Sequence, residues 1–194
     1  MTRRRLVALA ALALGLGFWR ALPEPLFDVP VASVLLARDG TLLGGRIADD
    51  EQWRFPPMKH VPEKLETAIL AFEDKRFRQH PGVDPLALSR ALYLAVINGK
   101  VVSGASTLTM QVTRLARKNR ERTVMQKLIE MTLALRLELS YDKDEILALY
   151  ASHAPFGGNV VGLEAASWRY FGRPPERLSW ADLRCSRCSP TLRR

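Results

Sequence analysis

The chain has 194 residues, 47% of them hydrophobic, with only 12 Gly and 12 Pro; this excludes a disordered or low-complexity chain and suits one domain with its own core. Its 29 Lys and Arg outnumber its 20 Asp and Glu, and the formal net charge of +9 predicts an anionic partner: a membrane surface, a phosphorylated substrate or nucleic acid. No zinc-finger, RRM or helix-turn-helix pattern supports nucleic acid.

In chain order, Arg3-Arg4-Arg5 precedes an apolar run from Leu6 to Trp19, closed by Arg20. A positive start followed by an apolar run is the pattern of a secretory signal or an uncleaved anchor. The run is shorter than the roughly 20 residues that span a bilayer. Extended over Ala21 and Leu22, with the stem of Arg20 snorkelling, it predicts a signal anchor over residues 1–22. The basic residues then lie inside and the rest of the chain outside the membrane. A buried helix of a soluble protein is the alternative.

Pro23, Pro25 and Pro30 predict a stiff spacer. Val34–Ala37 and Thr41–Leu43 flank Arg38-Asp39-Gly40, a hairpin signal, so residues 23–61 read as linker and small β-ribbon. From Pro62 the chain reads as helical through residue 182. Leu65, Ile69 and Phe72 recur at helical spacing after Pro62, and Pro81-Gly82 stops that helix or the turn after it. Asp84-Pro85 opens a helix that Asn98-Gly99 ends. Ser103-Gly104-Ala105 is a loop, with Ser106 or Thr107 capping the next helix. A long helix over Arg122–Leu139 carries Leu128, Met131 and Leu135 on one face. Asp142 and Glu145 form a capping box for a helix through Tyr150. Ala154–Gly158 reads as a turn, and Val161–Tyr170 as a further helix. The fold class is mainly α.

Glu73 and Asp74 adjoin at the predicted end of the Pro62 helix. The negative end of the helix macrodipole and the neighbouring carboxylate there suit Glu73 to a general base; a solvated acidic helix end is the plain alternative. Gln111, Arg114 and Lys118 are spaced i, i+3, i+7, so they share a helix face that, with loop amides at the helix start, could hold a pyrophosphate. Lys127 and Glu130 are an i, i+3 pair, which alone could be a routine helix ion pair.

Glu73-Asp74-x-x-Phe77-x-x-His80-x-Gly82 resembles the first motif, EDxxFxxHxG, of the peptidoglycan glycosyltransferases (family 51) of class-A penicillin-binding proteins. Gly104–Gln111 resembles its GGSTxTQQ motif, with Ala105 for Gly and Met110 for the first Gln. Arg114 stands where most members have Lys. Lys127 and Glu130 match its RKxxE motif, with Gln126 in place of the Arg. Lys143-x-x-Ile146-Leu147-x-x-Tyr150 is similar to the fourth motif, with Ala148 and Ser152 replacing its Glu and Asn. Ala154-Pro155-Phe156-Gly157-Gly158 and Ala165-Ala166-Ser167-Trp168 are most like the 1C-type branch.

The resemblance implies a lysozyme-like helical domain polymerising lipid II into β-1,4 glycan at the outer face of the inner membrane. It implies catalytic roles for Glu73 and Glu130. It implies substrate contacts from Asp74, Phe77, His80, Arg90, Ser106, Thr107, Gln111, Arg114 and Lys127, with Phe77 bordering the acceptor. Lipid II, the growing strand and other cell-wall synthesis proteins are the implied partners. The residues require no cofactor and show no dedicated metal-ligand cluster; magnesium or manganese at the pyrophosphate is compatible with the reaction. A lytic transglycosylase and an inactive truncated remnant are the alternatives.

Ser179 and Asp182 announce another helix, yet the chain continues as a tail over residues 183–194 that contains Cys185 and Cys188. With suitable codons a one-base shift would turn this tail into Ala-Leu-Leu-Ala-Val-Leu-Pro. The tail is therefore expected to arise from a frameshift, which disfavours redox or metal chemistry at the two cysteines.

Overall fold

The computed structural model describes residues 3–99, 104–118 and 123–183. The reading of the tail falls mainly on residues 184–194, outside the described residues. Helix α6 (Lys143–His153) is the centre of the core. It buries Ile146, Leu147, Ala148, Tyr150 and Ala151, and a helix apolar on most sides must be wrapped by others. Around it pack α2 (Glu63–Glu73), α4 (Leu108–Ala116), α5 (Val124–Glu138) and α7 (Leu163–Phe171), contributing Leu65, Leu108, Val112, Leu137 and Leu163. Glu138 of α5 ties three of these helices together. It accepts from Thr109 of α4 at 2.6 Å and from Lys143 of α6 at 2.7 Å.

The helix ends follow local chemistry. Asp142 and Glu145 complete the expected capping box, and Thr107 rather than Ser106 caps α4 through the Met110 amide. Asp84 caps α3 (Pro85–Asn98), which ends at Gly99 in the left-handed region. Ser179 and Asp182 cap the short α8 (Trp180–Leu183), whose Leu183 is buried.

The Asp39-Gly40 ribbon forms as expected, with β1 (Ser33–Leu36) antiparallel to β2 (Leu42–Arg46). A second sheet was not expected. In it β5 (Val160–Val161) lies between β3 (Trp53–Arg54), to which it is parallel, and β4 (Pro155–Gly157), to which it is antiparallel. Ala154–Gly158 is thus half strand and half turn. Strands of two or three residues are too short to show alternation.

Two helices turn apolar residues outward. On α5, Leu128 and Leu135 face outward, at 52% and 41% exposure, while Glu130, Leu133, Ala134 and Leu137 face inward. Helix α3 buries no residue and exposes Leu86, Leu92, Tyr93, Val96 and Ile97. The expected anchor over residues 1–22 is not shown by the fold. Helix α1 (Arg3–Trp19) has 17 residues, and among the described residues no helix is long and apolar enough to cross a membrane. The span had relied on Arg20–Leu22. Instead the Trp19 carbonyl accepts from Arg136 of α5 at 3.2 Å, and the Arg136 guanidinium lies 4.0 Å from the centroid of the Trp19 ring.

The segment after α1 is pinned to the core. Leu26 and Ala32 are buried, and Phe27 stacks on His153 of α6 at 3.7 Å between ring centroids. Arg54 donates to the Pro30 carbonyl at 2.6 Å and to Asp50 at 2.9 Å. Burial, and secondarily the Arg54 charge, lower the His153 pKa from 6.5 to about 4. Between those values the unfolded chain binds the extra proton and the folded one does not. The stability this neutral histidine allows is therefore full above its unfolded pKa and lost as pH falls towards about 4. His153→Phe, which can keep the stack, is expected to flatten that acid-side loss; urea midpoints measured across this pH window check it, and an unchanged slope would refute it.

Candidate active site

Helix α2 ends at Glu73, and Asp74 turns the chain away with φ −161°. The two adjacent carboxyl groups part here. Asp74 is buried, and its Oδ2 accepts from the Leu108 amide at the start of α4 at 3.0 Å. His80 Nε2 lies 3.1 Å from both Asp74 oxygens. Glu73 stays half-buried at a cleft, and its Oε2 accepts from Gln111 Nε2 of α4 at 2.9 Å. One carboxyl group thus joins two helix ends, and the other faces open space.

The loop between them is clamped. Thr107 donates to the Gly82 carbonyl at 2.5 Å. Gly82 has φ +88°, and a Cβ there would stand 2.8 Å from the Ala134 carbonyl oxygen of α5, so only glycine fits. Phe77 is fully buried, with its ring 4.4 Å from Lys143 Nζ and 6.4 Å from the His80 ring. Phe77 therefore does not border the acceptor as expected, and His80, expected as a substrate contact, is buried as well. They are core residues that brace the loop, because the apolar ring and the Asp74 contact both need exclusion of water.

The cleft has a volume of about 500 Å³ and is lined by Phe72, Glu73, Asp74, Lys75, Arg76, Arg90 and the 104–107 loop. Arg90 projects from the second turn of α3. Asp84 positions that helix by accepting from the Leu86 and Ala87 amides at 3.0 Å, and itself pairs with Arg76 at 2.7 Å. Burial pushes the Asp84 pKa up, but the Ala87 amide and Arg76 outweigh it and hold it below the ordinary carboxylate range. On the same cleft Ser106 accepts from Lys127 Nζ of α5, and Lys127 stands 3.9 Å from Glu130. Arg114 lies one turn beyond Gln111, in the last turn of α4.

The structure thus brings Glu73, Asp74, Arg90, Ser106 and Thr107 to the cleft, with Gln111 bonded to Glu73 and Lys127 to Ser106. Lys75 and Arg76 also line it and were not anticipated; they occupy loop positions where no helical spacing could mark them.

Asp74, His80 and Asp84 have ligand-type atoms within 4.8 Å of one another. They do not suit a resident metal ion. Arg76 already neutralises Asp84, and Asp74 is engaged by the Leu108 amide and His80.

The Transglycosylase family model matches residues 39–185. The chain belongs to the transglycosylase family. This transglycosylase chain is 42% identical over 181 residues to penicillin-binding protein 1C of Escherichia coli, covering 91% of the chain and 23% of that protein. It is 39% identical to penicillin-binding protein 1A of Haemophilus influenzae, over 75% of the chain and 17% of the relative. It is 34% identical to penicillin-binding protein 1F of Bacillus subtilis, over 64% and 18%. The chain therefore spans less than a quarter of the length of these relatives. The match extends over every element that builds the cleft of the transglycosylase domain.

Asp74→Ala would leave the buried Leu108 amide and His80 Nε2 without their acceptor. It is expected to destabilise the fold by about 2–4 kcal/mol, seen as a lower midpoint in thermal melts. Glu73→Gln, which keeps an acceptor for Gln111 at the cleft, is expected to leave the midpoint within about 0.5 kcal/mol of the parent. Equal losses for the two variants would refute this division of roles.

Proposed function

We propose that this chain is the glycosyl-transferring part of a peptidoglycan polymerase, which joins lipid II to a growing glycan strand with release of undecaprenyl pyrophosphate. The observation that carries the reading is the placement of Glu73: a carboxylate bonded to Gln111 at a cleft that it shares with the Lys127-bonded Ser106, with Arg90, Lys75 and Arg76 on the same walls.

Glu73 takes the proton from the 4-hydroxyl of the lipid II GlcNAc. That oxygen forms a bond to the anomeric carbon of the strand, whose bond to the pyrophosphate oxygen breaks with inversion. The leaving group departs as a stable anion, so no strong general acid is required. Lys127 and Arg114 stabilise the charge gathering on it. Glu130, 3.9 Å from Lys127, orients that ammonium. Asp74, Phe77, His80 and Thr107 support the site without touching the reacting atoms. Any magnesium or manganese that assists would be held chiefly by the pyrophosphate oxygens, since the buried carboxyl groups are already committed.

A lipid-linked substrate calls for contact with a bilayer. Exposed Leu9, Leu12 and Leu16 of α1, the outward apolar residues of α3, and Val124, Met125 and Leu128 of α5 support such contact, as does the basic charge of the chain. Membrane anchoring through residues 1–22, with the domain on the outer side, belongs to the same proposal, as do the growing strand and other wall-building proteins as partners.

Glu73→Gln is expected to lower lipid II polymerisation by roughly 10²–10⁴-fold or more without loss of fold. Polymerisation is followed by gel separation of labelled glycan, with a thermal melt of the same preparation. Substantial turnover in a folded variant would overturn the assignment.

A further inference from the structure

We propose that Arg117, held in place by Gln126, is a further binding residue for the pyrophosphate of the donor; this rests on the reading of the cleft as a site for pyrophosphate-linked sugars. Helix α4 closes at Ala116. Arg117 is its C-cap, and Lys118 follows in the left-handed region at φ +57°, turning the chain towards α5. Arg117 stands three residues past Arg114, next to it on the helix surface. Its Nη1 donates to Gln126 Oε1 at 2.9 Å. Gln126 is itself fixed in the first turn of α5, where its amide donates to the capping Thr123 hydroxyl at 3.1 Å. The next residue is Lys127, whose ammonium meets Ser106 on the cleft wall. The bond therefore carries a guanidinium from the end of α4 to the turn of α5 that presents Lys127.

The identity of the partner matters more than the bond. Among the described residues Arg54, Arg76, Arg78 and Arg173 pair with carboxylates (Asp50, Asp84, Glu66 with Asp144, and Asp182). Their charges are compensated within the fold. Arg136 has neutral partners, but it is 4% exposed and stacks on Trp19. Arg117 is half-buried, and its partner Gln126 is an amide, which orients a guanidinium without neutralising it. One N–H is used there. The fork has others, and guanidinium pairs bidentately with phosphate. Arg114, Arg117 and Lys127 then form a cationic row at the junction of α4 and α5. A plainer role exists, since a cation at a helix C-terminus gains about 0.3–1 kcal/mol from the macrodipole. That role affects stability, not affinity for an anion.

The test is titration calorimetry of inorganic pyrophosphate into the full chain, its Arg117→Ala variant and its Gln126→Glu variant, with thermal melts of each. Gln126→Glu keeps Arg117 and supplies a carboxylate to neutralise it. It is expected to weaken pyrophosphate binding about tenfold while leaving the melting midpoint unchanged or higher. Arg117→Ala is expected to weaken binding by a similar factor, and both to raise the KM for lipid II. Unchanged pyrophosphate affinity in either folded variant overturns the proposal, as does a parent chain that binds no pyrophosphate. A parent that binds pyrophosphate through Arg117 but makes no glycan refutes the polymerase reading alone. A parent that polymerises, with both variants unaltered in affinity and KM, refutes the role of Arg117 alone.

Discussion

Asp74 lies away from water, and a buried carboxyl group is tolerated only where donors converge on it. Here they come from two places distant in the chain, the amide of Leu108 and the ring of His80. The first joins the end of α2 to the start of α4, and the second closes the intervening loop on itself. Everything chemical depends on this knot. It directs the preceding residue, Glu73, outward, and it brings α4 to the point where Gln111 reaches Glu73 at 2.9 Å. Gly82 and Thr107 then lock the loop against α4 and α5, where no side chain would fit between Gly82 and the Ala134 carbonyl.

The cleft gathers charged side chains of both signs. Carboxylates inside the fold are balanced locally, as Asp84 is by Arg76 and Glu138 by Lys143. The cleft walls carry Lys75 and Arg90 beside Glu73, the buried Asp74 and the Arg76–Asp84 pair, and Lys127 meets their Ser106 side. The exposed side chains of Lys75 and Arg90 on these walls suit the anionic ligand proposed for the cleft. The outward apolar residues of α1, α3 and α5 fit the proposed contact with lipid in the same way. Such residues on three elements are hard to reconcile with water on every side.

Local chemistry made much of this readable in advance. Caps at Asp84, Thr107 and Asp142, the stop at Gly99 and the Asp39-Gly40 ribbon depend on residues within a few positions of one another, and they form as their residue types dictate. The motif residues around Glu73, Gln111 and Lys127 were readable too, through their resemblance to the family's motifs and not from spacing alone. The short strands β3, β4 and β5 were not, since pairing between distant segments, rather than periodicity, creates them. The direction of the outer face of α5 was not readable either, because a stripe of Leu and Met does not say which solvent it meets.

By itself the sequence determined the helices, their ends, the family and the candidate chemistry at Glu73. Only the tertiary structure decided which of the motif residues face the cleft and which are buried beneath it. Phe77 and His80 look like ligand contacts in a string of letters and turn out to be supports, while Lys75 and Arg76, unmarked by any spacing, line the opening. The reason is physical. Burial is set by what packs against a residue from elsewhere in the chain, and the contacts that sort these side chains, Asp74 with Leu108 and Glu73 with Gln111, exist only once the helices have packed.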